Sequence, residues 1–460
     1  MNYQLVSDKV GRLTVIVAGL ILGLSTTLFA GAQVEMKANL KDSSLQDWWD
    51  GKYLTGNWLG PRDSLADRGL KFKGKWRGAY YGILSSENGQ KGVYNQEVAL
   101  AATIDFAKLI GSEALQGLSA FGETRYRDNR GNANPRDTVK SSGLFNPSHF
   151  SSGVGWRLLT FGLKYSTPEM FGAEEFLTLT GGWVRPQKEF INQPLSKLFM
   201  NNAIESSKGG VGGNIPFSSS FSTWGGTVEL QPLPWHYLKA GLFMAFPQAT
   251  SSDNNGLMFQ GYTPDPSRND LFFMGETGIT PEFGASKLPG HYAFGGYVYG
   301  VDETYGGNRY GFYIQADQMV FREQGTKNSS PERGLQAEVP IGEGLDFGET
   351  IFSSQGLRLF SLLTAAPSFN NNYPFYAHVG LVYEGVIPGR NEDQLMGAVG
   401  VGEYSNKVGA TNSTVMEVGY RVQLNGWAFI QPYFQYLAQP NGTTKVANAS
   451  IIGFLGGVNF

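Results

Sequence analysis

The chain has 460 residues, of which 62 are glycine and 13% are aromatic, and its charged share of 16% lies well below the roughly 25% of soluble domains. With 36 Lys and Arg residues against 39 Asp and Glu residues, the net charge of −3 provides no general attraction for nucleic acid. The chain has no cysteine, which excludes disulfides, thiolate metal sites and cysteine nucleophiles.

Residues 1–32 have the three-part pattern of a secretory signal peptide. Lys9 and Arg12 precede an uncharged run over 13–28, and the small residues Ala30-Gly31-Ala32 come directly after it. The pattern predicts export and cleavage, with an uncleaved membrane anchor as the alternative. No later apolar stretch approaches the roughly 18 residues of a spanning helix, so a membrane-embedded chain must cross as the strands of a closed barrel.

Residues 33–69 are polar and differ in their residue pattern from the remainder of the chain. Ser43-Ser44 is a candidate helix cap before residues 45–49, and a second helix-like piece covers 63–68. We predict a short N-terminal periplasmic extension with short helices.

From residue 70 to residue 460, segments of about ten residues alternate between apolar and polar positions and are separated by Gly, Pro, Asn and Ser clusters. In residues 70–80 the even positions include Phe72 and Trp76, and the odd positions are Lys71, Lys73, Lys75, Arg77 and Ala79. The same split recurs over 238–246, 310–320 and 415–424. The pattern predicts a transmembrane antiparallel barrel with an even-numbered lipid face, although soluble antiparallel sandwiches share such alternation.

Two further features favour the membrane. Aromatic residues cluster at segment ends, where they are expected to meet lipid headgroups: Tyr80, Tyr81, Trp183, Trp224, Trp235, Tyr373 and Trp427. The last alternating strand, 452–460, ends on Phe460 and resembles the C-terminal signature read by the barrel assembly machinery of the outer membrane. Long polar loops over 127–149, 201–220, 251–269 and 325–348 alternate with tight turns, as in barrels with short periplasmic turns and long external loops.

The sequence contains no constellation of residues typical of catalysis. The nucleophile-elbow, zinc-protease and P-loop motifs are all missing, and the four histidines, His149, His236, His291 and His378, lack metal-pair spacing. The glycines of 209–213 lie between polar residues without a strand-to-helix setting, which favours a flexible loop over a nucleotide site. We therefore predict neither an enzyme nor a cofactor.

Three sequence blocks resemble motifs of a known protein family. LTGNWLGPR at 54–62, followed by LADRGL at 65–70, resembles the opening motif of the carbohydrate-selective porins of the OprB family. GLVYEGVIPGR at 380–390 with Asp393, and then EVGY, QPYFQY and QPNG at 417–420, 431–436 and 439–442, resemble later motifs of that family. One departure is that Tyr433 and Phe434 stand where an acidic residue often follows the Gln-Pro pair, which bears on solute preference more than on fold.

The resemblance implies one outer-membrane barrel of about 16 antiparallel strands that lets glucose-like sugars diffuse passively into the periplasm, without a cofactor. The expected partners are small sugars, outer-membrane lipid and, during insertion, the assembly machinery.

A sugar pore exchanges hydration for moderate hydrogen bonding at several positions, so the polar faces of the alternating segments supply the candidates. We hypothesise that opposed cations and carboxylates create a transverse field at the constriction. The lumen and sugar-contact candidates are Lys73, Lys75, Arg77, Gln315, Asp317, Glu417, Arg421, Gln423 and, as a stacking surface, Trp427.

Other functions stay open at this point. The cationic face of the first strand also fits an anion- or phosphate-selective pore, and a general porin would use the same barrel. An outer-membrane enzyme would require one of the four histidines as its base, and a secreted lectin would show similar alternation on a sandwich.

Overall fold

The computed structural model describes residues 45–58, 60–129, 134–149, 151, 154–173, 175–205, 209–215, 222–245, 271–300, 308–323 and 354–460. The predicted signal peptide and residues 33–44 of the predicted extension lie outside the described residues. Within the described ranges, no helix is long and apolar enough to cross a bilayer.

Seventeen strands account for most of the described chain. They are β1 (Leu70–Ser85), β2 (Lys91–Asp105), β3 (Leu118–Asn129), β4 (Gly155–Ser166), β5 (Leu177–Val184), β6 (Thr223–Leu233), β7 (His236–Met244), β8 (Leu271–Ile279), β9 (Glu282–Phe283), β10 (Leu288–Tyr299), β11 (Arg309–Arg322), β12 (Gly356–Ala365), β13 (Phe375–Glu384), β14 (Gln394–Glu403), β15 (Asn412–Asn425), β16 (Ala428–Ala438) and β17 (Ala449–Asn459).

The helices are short and lie outside these strands. They are α1 (Leu45–Trp49), α2 (Pro61–Asp67), α3 (Phe106–Ile110), α4 (Pro135–Val139), α5 (Pro186–Glu189), α6 (Asn202–Glu205) and α7 (Gly209–Asn214), with 3₁₀ turns at Glu113–Leu115, Ser196–Leu198 and Asn406–Val408.

The strands close into an antiparallel barrel. The two-residue β9 pairs only with β10, and each of the other sixteen described strands pairs with its neighbours along the chain. Closure comes from β1, which pairs with β2 on one side and with β17 on the other, with Lys75 opposite Asn459. The expected barrel of about 16 strands is confirmed, and a single closed sheet excludes the sandwich.

Exposure alternates along the strands as the sequence predicts. On β15, Met416 and Val418 are 52% and 50% exposed on the outside, whereas Val415 and Glu417 are 0% and 1% exposed on the inside. Leu238, Leu242, Phe312 and Ile314 also point outward. A continuous apolar outer face of this kind is suited to lipid, because water-exposed apolar patches larger than a few hundred Å² are rare on soluble monomers.

The aromatic residues expected at lipid headgroups divide between the two faces. Tyr80 and Trp235 are about half exposed on the outside, in keeping with the expectation. Tyr81 and Trp183 are fully buried inside the barrel, so the headgroup interpretation is wrong for these two. Adjacent positions such as 80 and 81 must face opposite sides of a strand, which proximity to a segment end does not reveal.

The two ends of the barrel differ in their connections. The end at which β1 begins and β17 ends (the termini end) has short turns such as the one between β15 and β16. The opposite end (the loop end) carries the connections 130–154, 185–222 and 245–270. The connection between β11 and β12 leaves the termini end, because Arg322 pairs with Gly356 there. Residues 325–348 of this connection lie outside the described residues.

The extension before β1 crosses the seam where the first and last strands meet. Leu54 N donates to Asn459 O of β17 at 2.8 Å, and the buried Arg62 donates from Nη2 to Phe72 O of β1 at 3.0 Å. The Arg62 guanidinium also lies 3.3 Å from the centre of the Tyr53 ring. The extension thus fastens β1 and β17 at the termini end.

Arg62→Ala should lower the stability of the folded barrel by about 1.5–3 kcal/mol, because a charged hydrogen bond to Phe72 O and a cation–π contact are lost together. Denaturant unfolding, followed by the gel shift of the folded barrel, measures the change. Arg68→Ala is the matched control, since Arg68 is exposed at the end of α2, and it should change the free energy of unfolding by less than about 0.5 kcal/mol. Equal losses in the two variants would contradict the fastening role.

Candidate pore constriction

The connection between β5 and β6 folds into the barrel. We call its described part, 185–205 and 209–215, the inner loop. Its apolar residues Phe190, Leu195 and Phe199 are completely buried, although connections usually run over the surface. Phe190 meets Phe243 of β7 with ring centres 6.3 Å apart, and Phe199 meets Phe360 of β12 at 5.5 Å. The apolar residues of this loop therefore anchor it to the inner face of the wall.

Polar side chains of the wall satisfy the backbone of the inner loop. Both carboxylate oxygens of Glu417 accept backbone N–H groups, from Met200 at 2.7 Å and from Asn201 at 2.9 Å. Glu276 of β8 accepts from Ile191 N at 3.2 Å, and Gln431 of β16 donates to Leu198 O at 2.8 Å. These bonds replace the water that a surface loop would use.

A second inward segment, 134–149, packs on the inner loop. His149 N donates to Met200 O at 3.0 Å, and Asn202 N donates to Asn146 O at 2.9 Å. Gln435 of β16 donates to Pro147 O at 3.0 Å. The two segments together occupy part of the barrel interior.

Two glycines of α7 allow close packing against the wall. A Cβ at Gly213 would collide with the ring of Tyr373, and one at Gly209 would lie 2.8 Å from Tyr376 Cδ1. The glycines of 209–213 thus belong to the inner loop and serve its approach to aromatic rings rather than a nucleotide.

A cluster of charged side chains lies inside the barrel beside the inner loop. Among the described residues, six cations surround two carboxylates, and we call this set the basic ladder: Lys75 and Arg77 of β1, Glu97 of β2, Glu123, Arg125 and Arg127 of β3, and Arg185 and Lys188 of the inner loop.

Glu97 is the centre of the basic ladder. Its side chain is fully buried, and its Oε1 lies 2.5 Å from Arg77 Nη2 and 3.9 Å from Lys75 Nζ. Its Oε2 lies 2.8 Å from Arg127 Nε and 3.3 Å from Arg125 Nη1. One carboxylate therefore holds four cations on the inner faces of β1 and β3.

Glu123 joins the wall to the inner loop. Its Oε1 lies 3.1 Å from Arg125 Nη2, and its Oε2 lies 3.1 Å from Arg185 Nη2 and 4.0 Å from Lys188 Nζ. Burial and, to a smaller extent, the neighbouring Arg185 lower the pKa of Lys188 to about 8 in spite of Glu123. Lys188 is therefore charged at neutral pH and loses its proton in mildly alkaline solution.

The sequence-predicted candidates fall into separate groups. Lys75 and Arg77 belong to the basic ladder, whereas Lys73 is partly exposed nearer the termini end. Arg421 lies over the Phe429 ring at 4.2 Å and donates to Gln431 Oε1 at 3.0 Å. Gln423 donates to Asn425 O at 2.7 Å, close to the turn that ends β15.

The remaining four candidates contact other parts of the protein instead of lining an open lumen. Glu417 binds the backbone of the inner loop at Met200 and Asn201. Gln315 and Asp317 are fully buried on β11, and Asp317 Oδ2 lies 3.6 Å from His291 Nδ1. Trp427 lies at the termini end, where its ring centre is 5.0 Å from that of Trp48, and its Nε1 donates to Trp48 O at 3.2 Å.

Six members of the basic ladder were not among the sequence candidates: Glu97, Glu123, Arg125, Arg127, Arg185 and Lys188. Part of this set has a readable pattern, because positions 123, 125 and 127 occupy alternate places and must share one face of a strand. The sequence gives no such signal for Arg185 and Lys188, because their position depends on a connection that turns into the barrel.

Comparisons with known proteins agree on one family. The sequence profile described as "Carbohydrate-selective porin, OprB family" matches residues 89–460. Porin B of Pseudomonas aeruginosa is 24% identical over 456 residues, which cover 88% of this chain and 90% of that protein. The high-pH structure of Pseudomonas putida OprB matches with a TM-score of 0.72 at 20% identity, and covers 89% of this chain and 99% of its own. The low-pH structure of Pseudomonas putida OprB also covers 89% of this chain and 99% of its own, with a TM-score of 0.53 at 17% identity.

Proposed function

The chain belongs to the OprB family of carbohydrate-selective porins, and from this premise we propose that it admits glucose-like sugars to the periplasm by passive diffusion. The family and the barrel point to an outer-membrane channel rather than an enzyme. The observation that supports sugar passage best is the basic ladder on the inner faces of β1 and β3, joined to the inner loop through Glu123.

The chemistry of this region suits polyhydroxylated solutes. Guanidinium groups donate several hydrogen bonds in fixed directions, and Glu97 and Glu123 accept them, so sugar hydroxyls can exchange water for either kind of partner. Because the cations already bind carboxylates, each new bond to a sugar replaces an existing one and stays weak. Weak contact at several positions permits both entry and release. We propose that Lys75 and Arg77 contact sugar in this way, and that Lys73, Arg421 and Gln423 line the path toward the termini end.

The route to the membrane is also part of the proposal. Residues 1–32 would direct export and be removed, residues 33–69 would stay on the periplasmic side, and the strand ending at Phe460 would be read by the assembly machinery before the outer face meets lipid.

Liposome swelling with the purified full chain tests the sugar preference. Solutes of matched size should include glucose, a neutral amino acid and a polyol, and protein-free liposomes provide the baseline. We expect glucose to enter faster than the amino acid. Equal rates for all solutes of one size would reject sugar selectivity and leave a general porin.

A second candidate is preference for anionic solutes. Cations outnumber carboxylates within the basic ladder by six to two, and rings of cations line pores that select anions. Reversal potentials in planar bilayers with a salt gradient measure this preference. Strong anion selectivity together with slow glucose entry would favour the anion pore over the sugar pore.

Raising the pH from 7 to 9 should reduce anion selectivity, because Lys188, with a pKa of about 8, changes from charged to neutral across this range. Reversal potentials at the two pH values measure the change. In Lys188→Gln the selectivity should be lower at pH 7 and nearly the same at both values. Lys140→Gln is the control, since Lys140 lies outside the basic ladder, is half exposed and pairs with Glu87, and it should retain the full pH response. An undiminished response in Lys188→Gln would assign the titration to another group.

A further inference from the structure

Glu417 has the geometry of a clamp on the inner loop. Its side chain is 1% exposed, and each carboxylate oxygen accepts one of two successive backbone N–H groups, from Met200 and Asn201. Two adjacent N–H groups that donate to the two oxygens of one carboxyl group fix the loop backbone at two successive residues. The clamp therefore acts on main-chain atoms and does not depend on which side chains the loop carries.

The position of Glu417 relative to the other attachments of the inner loop determines which part of the loop it holds. The start of the inner loop is held by Arg185 and Lys188 on Glu123, and Ile191 N is held by Glu276. Residues 200 and 201 lie beyond both of these attachments along the chain, beside β15 and β16. There Glu417 holds two successive backbone N–H groups, whereas Gln431 and Gln435 each make one bond to this part of the loop.

We propose that Glu417 is a positioning residue that fixes the middle of the inner loop against β15 and thereby sets the width of the constriction. The inference rests on the proposed pore function and deepens it. Glu417 touches the loop and not the solute, in contrast to a lumen-lining sugar contact. Loss of the clamp releases the loop locally, while Glu123 and Glu276 keep its first part in place.

Thiol labelling can follow this release directly, because the chain has no native cysteine. Met200→Cys places a thiol at a fully buried position beside the clamp, and Ile191→Cys places one at a 2% exposed position held by Glu276. Each is combined with Glu417→Ala and Glu417→Gln. Glu384→Gln is the matched wall variant, since Glu384 is a buried carboxylate of β13 that accepts from Gln394 on the neighbouring strand.

We expect the labelling rate of Met200→Cys to rise about tenfold or more with Glu417→Ala, because two buried backbone N–H groups lose their acceptor, and less with Glu417→Gln, whose amide oxygen still accepts one bond. Ile191→Cys should stay protected in both, and Glu384→Gln should leave both thiols protected. Single-channel conductance should rise with Glu417→Ala and the preference for glucose should weaken.

Protection of Met200→Cys in Glu417→Ala would overturn the proposal, and so would faster labelling with unchanged conductance. Equal exposure of both thiols would indicate general unfolding and would also count against a local clamp. The labelling result is independent of the solute, so a wild-type pore without glucose preference would reject the proposed function while leaving the clamp intact.

Discussion

Replacing Glu97 with glutamine is expected to lower the free energy of unfolding of the barrel by about 3–5 kcal/mol, the cost typical of removing one partner from a buried ion pair. The carboxylate is fully buried and lies between Arg77, Arg125, Arg127 and Lys75. Glutamine keeps the shape of the side chain but removes the negative charge that the four cations share. Denaturant unfolding of the folded barrel, followed by its gel shift, measures the loss.

Glu229→Gln provides the control for this change. Glu229 lies on β6, is about a third exposed, and pairs with Lys239 at 2.6 Å. Solvent screens such a pair, so the loss there should stay near or below about 1 kcal/mol. Equal losses in the two variants would show that the number of cations around Glu97 does not matter.

A second substitution separates charge balance from packing. Arg127 donates to Glu97 Oε2, and Arg127→Gln added to Glu97→Gln removes one of the unbalanced cations. The double variant should be more stable than Glu97→Gln alone, since the coupling between contacting charges is not additive. If it is less stable, packing rather than charge explains the effect of Glu97.

The barrel was predictable because the alternation of apolar and polar residues that defines each strand is local and periodic. On β15 the alternation of Met416 and Val418 with Glu417 already separates an apolar outer face from a polar inner face. Strand pairing repeats the same rule around the ring, so many weak signals together indicate the fold class. The number of about 16 strands came from the family resemblance.

The constriction was only partly predictable, because it depends on contacts between distant parts of the chain. The bond from Met200 N to Glu417 Oε1 joins residues 217 positions apart. A polar-looking connection gives no sign that it will turn inward, and an inward-facing Glu417 looks the same whether it meets water, sugar or a loop backbone. Trp427 shows the same limit, since its partner Trp48 belongs to the extension before β1.

Deleting the inner loop should convert the pore from selective to general. Val184 and Thr223 pair at the ends of β5 and β6, so a short Gly-Ser turn in place of 187–221 can rejoin the strands without straining the wall. Arg185 stays in place as a partner of Glu123. Without the loop, the inside of a sixteen-strand barrel is a wide aqueous channel, and single-channel conductance should rise several-fold.

The same deletion should abolish discrimination between glucose and an amino acid of equal size in liposome swelling, because the narrow part of the path is lost while most of the basic ladder is retained. The control shortens another connection at the same end of the barrel, 130–154. It tests whether the loss of any loop at this end has the same effect. It removes the packing of 134–149 on the inner loop but leaves Glu417 and Glu276 attached, so conductance should rise less. If glucose preference survives deletion of 187–221, selectivity resides in the cations of β1 and β3 alone, and the inner loop serves only to limit the size of the solute.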